Sequence, residues 1–305
     1  MKFRCRRAVM RSVNIRIVLI AAISVVLSLT GCITRTKRLT PDQVLLAAEN
    51  LSKPALLDKL IASSAALKTL KVNSYLKVTQ QISSDQLKEF GKGPLSITGD
   101  IAVERPNKLR LQVGLGGAVT GAEIESDDRQ FRIYIPHKLN AFGIGSIAAP
   151  VGDVSFPCSL RPNHILDALF VDGEKYFNKP DEFVTSVVAN TEGVRSFYLV
   201  HIFKHDGTPI QELWYDRTDK HVVRKKQYTE DGRIEADVRY SNYSTVGSIS
   251  FPKVIDINRP IEKYSLEMKI NDMYFNETIP ESAFVLDRPP NANELDMTTC
   301  KTVKR

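Results

Sequence analysis

The chain has 305 residues, a formal net charge of +7, 43% hydrophobic residues and only four cysteines. Lys2, Arg4, Arg6, Arg7, Arg11 and Arg16 crowd the first 31 positions without a single acid, so the remainder carries about +1 and gives no ground for a nucleic-acid partner. No Cys-x-x-Cys or Cys/His cluster is present that would hold a metal such as zinc.

Behind the basic start, Ile17 to Leu29 is apolar. A helix of that length is too short to cross roughly 30 Å of hydrocarbon and suits the core of a secretory signal. Leu29-Thr30-Gly31-Cys32 follows with the pattern of a bacterial lipobox, in which the cysteine is acylated and becomes the first mature residue. The expected division is a signal peptide over 1–31, a lipidated tether over 32–39 with Arg35, Lys37 and Arg38, one domain over 40–286, and a polar tail over 287–305. Cys5 leaves with the signal and Cys32 is the lipid anchor. Cys158 and Cys300 then remain in a compartment that permits disulfides, either bridged to each other or as two buried thiols.

Thr40 with Pro41 predicts a helix over Pro41–Asn50, and Ser52 with Pro54 a second over Lys53–Leu70, because these residues suit the N-cap and the first turn. Leu56, Leu57, Leu60, Ile61 and Leu67 give the second helix an apolar stripe. Leu70–Ile82 reads as the first strand. From Gly99 to Pro136 apolar and polar residues alternate in three runs, so Ile97, Ile101, Val103 and Arg105 share one face, as do Leu109, Leu111 and Val113, and Phe131, Ile133 and Ile135. Pro106 and the Asp127-Asp128 pair mark the turns between runs. Asn140 to Ser155, with Gly143, Gly145, Pro150 and Gly152, reads as a long loop, and Arg161–Phe170 as a helix with Pro162 in its first turn.

Strands resume at Phe183, with hairpins at Asp206-Gly207 and Asp231-Gly232, further strands over Ile249–Asn258 and Ile261–Phe275, and a turn at Pro280–Phe284. The class is mainly β (α+β): about ten or eleven antiparallel strands in one curved sheet, an incomplete barrel closed by N-terminal and mid-chain helices. The concave face made by Ile97, Ile101, Val103, Leu109, Leu111, Val113, Phe131, Ile133 and Ile135 either lines a cavity or packs as a filled core. His201 and His205 have helical metal spacing but lie on a strand, where four residues span about 13 Å. Gly114–Gly121 lacks the Gly-Lys-Ser/Thr ending of a phosphate loop, and no Gly-x-Ser-x-Gly motif occurs. The expected protein is therefore not an enzyme and needs no cofactor.

Glu104-Arg105-Pro106-Asn107, the segment from Glu125-Ser126-Asp127 through Tyr134-Ile135-Pro136, and the late strand Ile249–Lys253 resemble the LolA/LolB-like family of periplasmic lipoprotein carriers and outer-membrane acceptors. The resemblance implies an apolar cavity for the acyl chains of lipids or lipoproteins, held without catalysis. It also implies a latch role for Arg105, donating to backbone carbonyls of the helical lid. Strand alternation agrees, since a charge on the apolar face needs acceptors such as the free carbonyls of a helix C-terminus. The lipobox sides with the acceptor member, itself a lipoprotein. Ile33 rather than Asp after the cysteine leans toward the outer membrane, with the domain facing the periplasm and an envelope transport partner. The alternative is a structural or assembly lipoprotein that uses the same fold as a protein-interaction scaffold.

Overall fold

In the computed structural model, residues 48–80, 95–115, 120–127, 129–136, 139–148, 160–299 and 301–303 are described, all within the compact unit Leu45–Arg305. The signal, Cys32, the tether, Pro41, Cys158 and Cys300 lie outside them. Period-two alternation runs through most of this chain, and the backbone forms from it one sheet of fifteen strands among the described residues. In chain order these are β1 (Thr69–Gln80), β2 (Leu95–Glu104), β3 (Lys108–Gly114), β4 (Thr120–Ser126), β5 (Gln130–Ile135), β6 (Ala141–Ser146), β7 (Phe183–Glu192), β8 (Arg195–Lys204), β9 (Pro209–Asp216), β10 (His221–Tyr228), β11 (Ile234–Val246), β12 (Ile249–Arg259), β13 (Tyr264–Phe275), β14 (Asn293–Asp296) and β15 (Lys301–Val303). Helices α1 (Lys53–Ala65), α2 (Pro162–Leu169) and α3 (Glu174–Phe177) accompany them, with a 3-10 turn over Glu281–Phe284.

The sheet is two antiparallel meanders, β1–β6 and β7–β13, joined where β1 pairs with β13, Leu76 opposite Met268. Its edges, β15 and β7, are not paired with each other, so the barrel stays open. Gly207 and Gly232 take φ of +89° and +80° in the β8–β9 and β10–β11 hairpins, where Asp-Gly was the signal. α1 buries Leu56 and Leu60, and α2 buries Ile165, Leu166 and Leu169, in one apolar cluster with both meanders. Each such side chain contributes about 1.5–3 kcal/mol on leaving water.

The strand count exceeds the ten or eleven read from the sequence for definite reasons. The expected loop after Asn140 is in part β6, where a Cβ on Gly145 would sit 2.4 Å from the Phe131 ring and one on Gly143 2.9 Å from the Leu295 carbonyl oxygen. These glycines permit close approach inside a sheet. β4 was hidden because Glu125 and Ser126 are buried polar residues, Glu125 held by Arg132 at 2.5 Å. The expected polar tail supplies β14, which pairs with β6 in parallel, and β15 beyond it, while Leu295 and Met297 enter the core. α1 ends at Ala65 rather than Leu70, and Ala48 to Asn50 are not helical.

Candidate functional site

Two cations on the concave side of the sheet each meet the C-terminal end of a helix. Arg105, just past β2, donates through Nη1 to the carbonyls of Ser64 (2.5 Å) and Leu67 (3.5 Å), and its backbone N–H donates to that of Lys68 (2.9 Å). Asn276 Nδ2 donates to the Ala66 carbonyl at 2.8 Å. Carbonyls at and just past the end of α1 thus receive donors from residues far away in the chain. The same guanidinium pairs with Asp172 at 3.1 Å and lies 5.3 Å from the centre of the Phe170 ring.

Lys225 of β10 does the corresponding work for α2. It is fully buried, and its amine donates to the carbonyls of Asp167 and Phe170, the latter at 2.9 Å. The Tyr240 hydroxyl donates to the Ala168 carbonyl at 2.9 Å. Burial pulls the Lys225 ammonium down to about 8 and pushes the Tyr240 phenol well up. Positive charge at a helix C-terminus is favourable, which offsets part of the desolvation. At its other end α2 is tied by His164, whose Nδ1 lies 2.9 Å from the Tyr264 hydroxyl. Burial, with Arg259 and Arg161 nearby, holds this imidazole well below its ordinary value, so it stays neutral.

Phe170 to Asp172 therefore lies between two anchors from opposite meanders. Its ring and carboxylate go to Arg105, and its carbonyl goes to Lys225. Beside it lies a cavity of about 260 Å³ under the C-terminal half of α1, walled by Leu60, Leu67, Leu169, Tyr240, Tyr243 and Phe251 among others. At the approach to α1, the Glu49 carboxylate takes Lys59 at 3.0 Å and the Tyr215 hydroxyl at 2.9 Å, and the Tyr198 hydroxyl accepts from the Leu51 N–H at 2.8 Å.

Ile97, Ile101, Val103, Leu109, Leu111, Val113, Phe131, Ile133 and Ile135 are all buried in the continuous apolar cluster. None of them walls the cavity, which opens against β9–β12 instead. Sequence reasoning missed Lys225 and the tyrosines. The β9–β10 register slips between Val222 and Arg224, so Val222 and Lys225 both turn inward although simple alternation separates them. Among the described residues no group of three metal-type ligands occurs. His201 faces Glu212 at 3.5 Å and His205 contacts the Pro180 carbonyl at 3.0 Å, each apart from the other.

No family model matches the chain, and no curated protein does. Solved structures do. A putative outer membrane lipoprotein-sorting protein domain from Vibrio parahaemolyticus matches with a TM-score of 0.50 at 12% identity, over 75% of this chain and 94% of that one. A DUF1329 family protein from Desulfovibrio piger matches with 0.50 at 12% identity, over 76% and 96%. The fold is LolA/LolB-like. A LolA superfamily protein from Nitrosomonas europaea, at TM-score 0.49 and 11% identity, spans 78% of this chain and 99% of its own. Within the LolA/LolB-like fold, the incomplete barrel is the sheet and the covering helices are α1 and α2.

Proposed function

We propose that this protein is an envelope lipoprotein, anchored through Cys32, that accepts an acyl chain of a lipid or lipoprotein into the cavity beneath α1 and carries or receives it without catalysis. The observation that carries the reading is the placement of that cavity directly beside the two anchored helix ends. The covering helices are held by the apolar side chains they bury and by discrete polar contacts at their C-termini, and release of those contacts would let the end of α1 shift against the sheet. The Vibrio parahaemolyticus neighbour, a putative outer membrane lipoprotein-sorting protein domain, agrees with this use.

Size supports a moving cover. At roughly 30 Å³ per water-sized group, 260 Å³ holds on the order of eight or nine methylenes. Burying them contributes on the order of 6 kcal/mol before ordering costs, enough to retain one chain. A lipoprotein with several chains needs α1 to swing outward, which Arg105 would permit by releasing Ser64 and Leu67. The domain faces the periplasm, and Ile33 after the anchor favours the outer membrane. Native mass spectrometry of the secreted chain from Ile33 onward, purified without detergent, tests the reading. Co-purified lipid in a one-to-one complex is expected, and a protein free of lipid that also takes up none when lipid is added would refute it.

A further inference from the structure

The cavity has a polar end and an apolar end. Toward the interior stand Leu60, Leu67, Leu169 and Phe251, while Lys220, His221, Ser63, Ser248 and Ser250 lie on the same lining. None of the residues lining it is an Asp or Glu. The contrast is a second depression of about 320 Å³ on the other face of the sheet, where Lys77 and Arg239 are interleaved with Asp237, Asp256 and Glu267. There both signs of charge line the depression, whereas the cavity lining carries only the positive one.

The neighbouring carboxylates are each committed elsewhere. Glu49 is held by Lys59 at 3.0 Å, and Asp216 and Asp219 share Arg195 at 3.3 and 3.7 Å. Arg217 donates to the Glu49 carbonyl at 2.9 Å and to Asn50. Lys220 thus makes no ion pair with a carboxylate among the described residues, although Glu49 senses its charge from farther off, and it stands at the mouth of an apolar cavity. His221 stacks on Tyr243 with ring centres 4.1 Å apart, and burial lowers its affinity for a proton, so it adds a neutral hydrogen-bonding edge. Lys220 itself occupies a left-handed turn position, φ +60°, secured by its N–H to the Asp216 carbonyl at 2.8 Å.

We infer that the rim is a subsite for the anionic head of a single-chain acyl ligand, a carboxylate or a phosphate, with Lys220 as its counter-charge. This rests on the acyl-cavity reading above and names the ligand class for it. One chain enters the apolar interior, and the head stays at the surface, where the lysine meets it and solvent hydrates the remainder. A ligand with an uncharged head gains the chain burial alone.

The test uses the full chain in phosphatidylcholine nanodiscs and three photoreactive probes of equal chain length: a fatty acid, a lysophosphatidic acid and a fatty alcohol. The readout is the concentration giving half-maximal labelling of peptides from β9–β12. Lys220→Asn is the variant of choice, because asparagine suits the left-handed turn and preserves it. Lys263→Asn makes the same change at another left-handed position, φ +58°, away from the cavity. In Lys220→Asn the acid probes should label about five- to tenfold more weakly, Lys220→Arg should restore them, and the alcohol should be unaffected. Added salt should weaken the acids and not the alcohol. A loss confined to the fatty acid identifies a carboxylate head, and one confined to the lysophospholipid a phosphate head. Equal effects on acids and alcohol, or none, overturn the subsite. If no probe labels the unaltered chain, the acyl cavity itself fails and the subsite with it.

Discussion

Lys225 offers a stability signature opposite to that of an ordinary surface lysine. In the fold its ammonium is fully buried and its pKa falls to about 8, against 10.5 for an unburied lysine. Between those values the unfolded chain binds the proton and the folded chain has released it, so stability rises with pH across that window. Below about pH 8 the folded protein carries the buried charge and the gain is absent. At about 1.4 kcal/mol per unit, the full interval corresponds to about 3 kcal/mol, with roughly 2 kcal/mol of it developed by pH 9.5. Tyr215, Tyr243 and Tyr264, whose pKa values are raised by burial, act in the reverse sense above about pH 10. Lys225→Met serves as reference because it shares those tyrosines and fills similar volume without charge. Denaturant unfolding of both proteins from pH 7 to 9.5 measures the difference. The unaltered protein should gain on the variant by about 2 kcal/mol over that range; superimposed pH profiles would refute the placement of a charged lysine on the α2 carbonyls.

Arg105→Leu removes the contacts to Ser64, Leu67 and Asp172 and should speed exchange of a bound fluorescent fatty acid about tenfold, the equivalent of about 1.4 kcal/mol, while Arg105→Lys, with charge but no planar fork, falls between. Stopped-flow displacement reads this, and unchanged exchange in the leucine variant would remove Arg105 from the cover. Gly143→Val drives a side chain against the Leu295 carbonyl and should detach β14 and β15, lowering stability by about 2–4 kcal/mol and opening the region after Pro290 to limited proteolysis. Cys32→Ala should leave the protein unacylated and move it out of the membrane fraction; unchanged fractionation and acyl labelling would contradict the anchor.

Much of the architecture was legible because it follows from local rules. Strict alternation in β2, β3 and β5 set which side of the sheet is apolar, and Asp-Gly pairs announced two hairpins. Ser52 does cap α1, accepting from the Ala55 N–H at 3.4 Å, and Pro162 does open α2. Arg105 was legible as a charge on the apolar side, although not which carbonyls meet it. What escaped depends on contacts distant in sequence. Gly143 and Gly145 look like loop residues until Leu295 and Phe131 are seen against them. Lys225 looks solvent-facing within Arg224-Lys225-Lys226 until the slip in the β9–β10 register turns it inward. The cavity wall moved for the same reason. Ile97 to Ile135 are buried in the apolar cluster that also takes side chains of α1 and α2, whereas the cavity of about 260 Å³ lies where the helix ends meet β9–β12.

The most direct measurement is therefore positional. A photoreactive fatty acid bound to the protein and mapped by peptide mass spectrometry should label residues around Tyr215, Tyr240, Tyr243 and Phe251, and excess unlabelled fatty acid should abolish the labelling. Labelling confined to the outer face of the sheet, or none that unlabelled fatty acid displaces, would contradict an acyl site beneath α1.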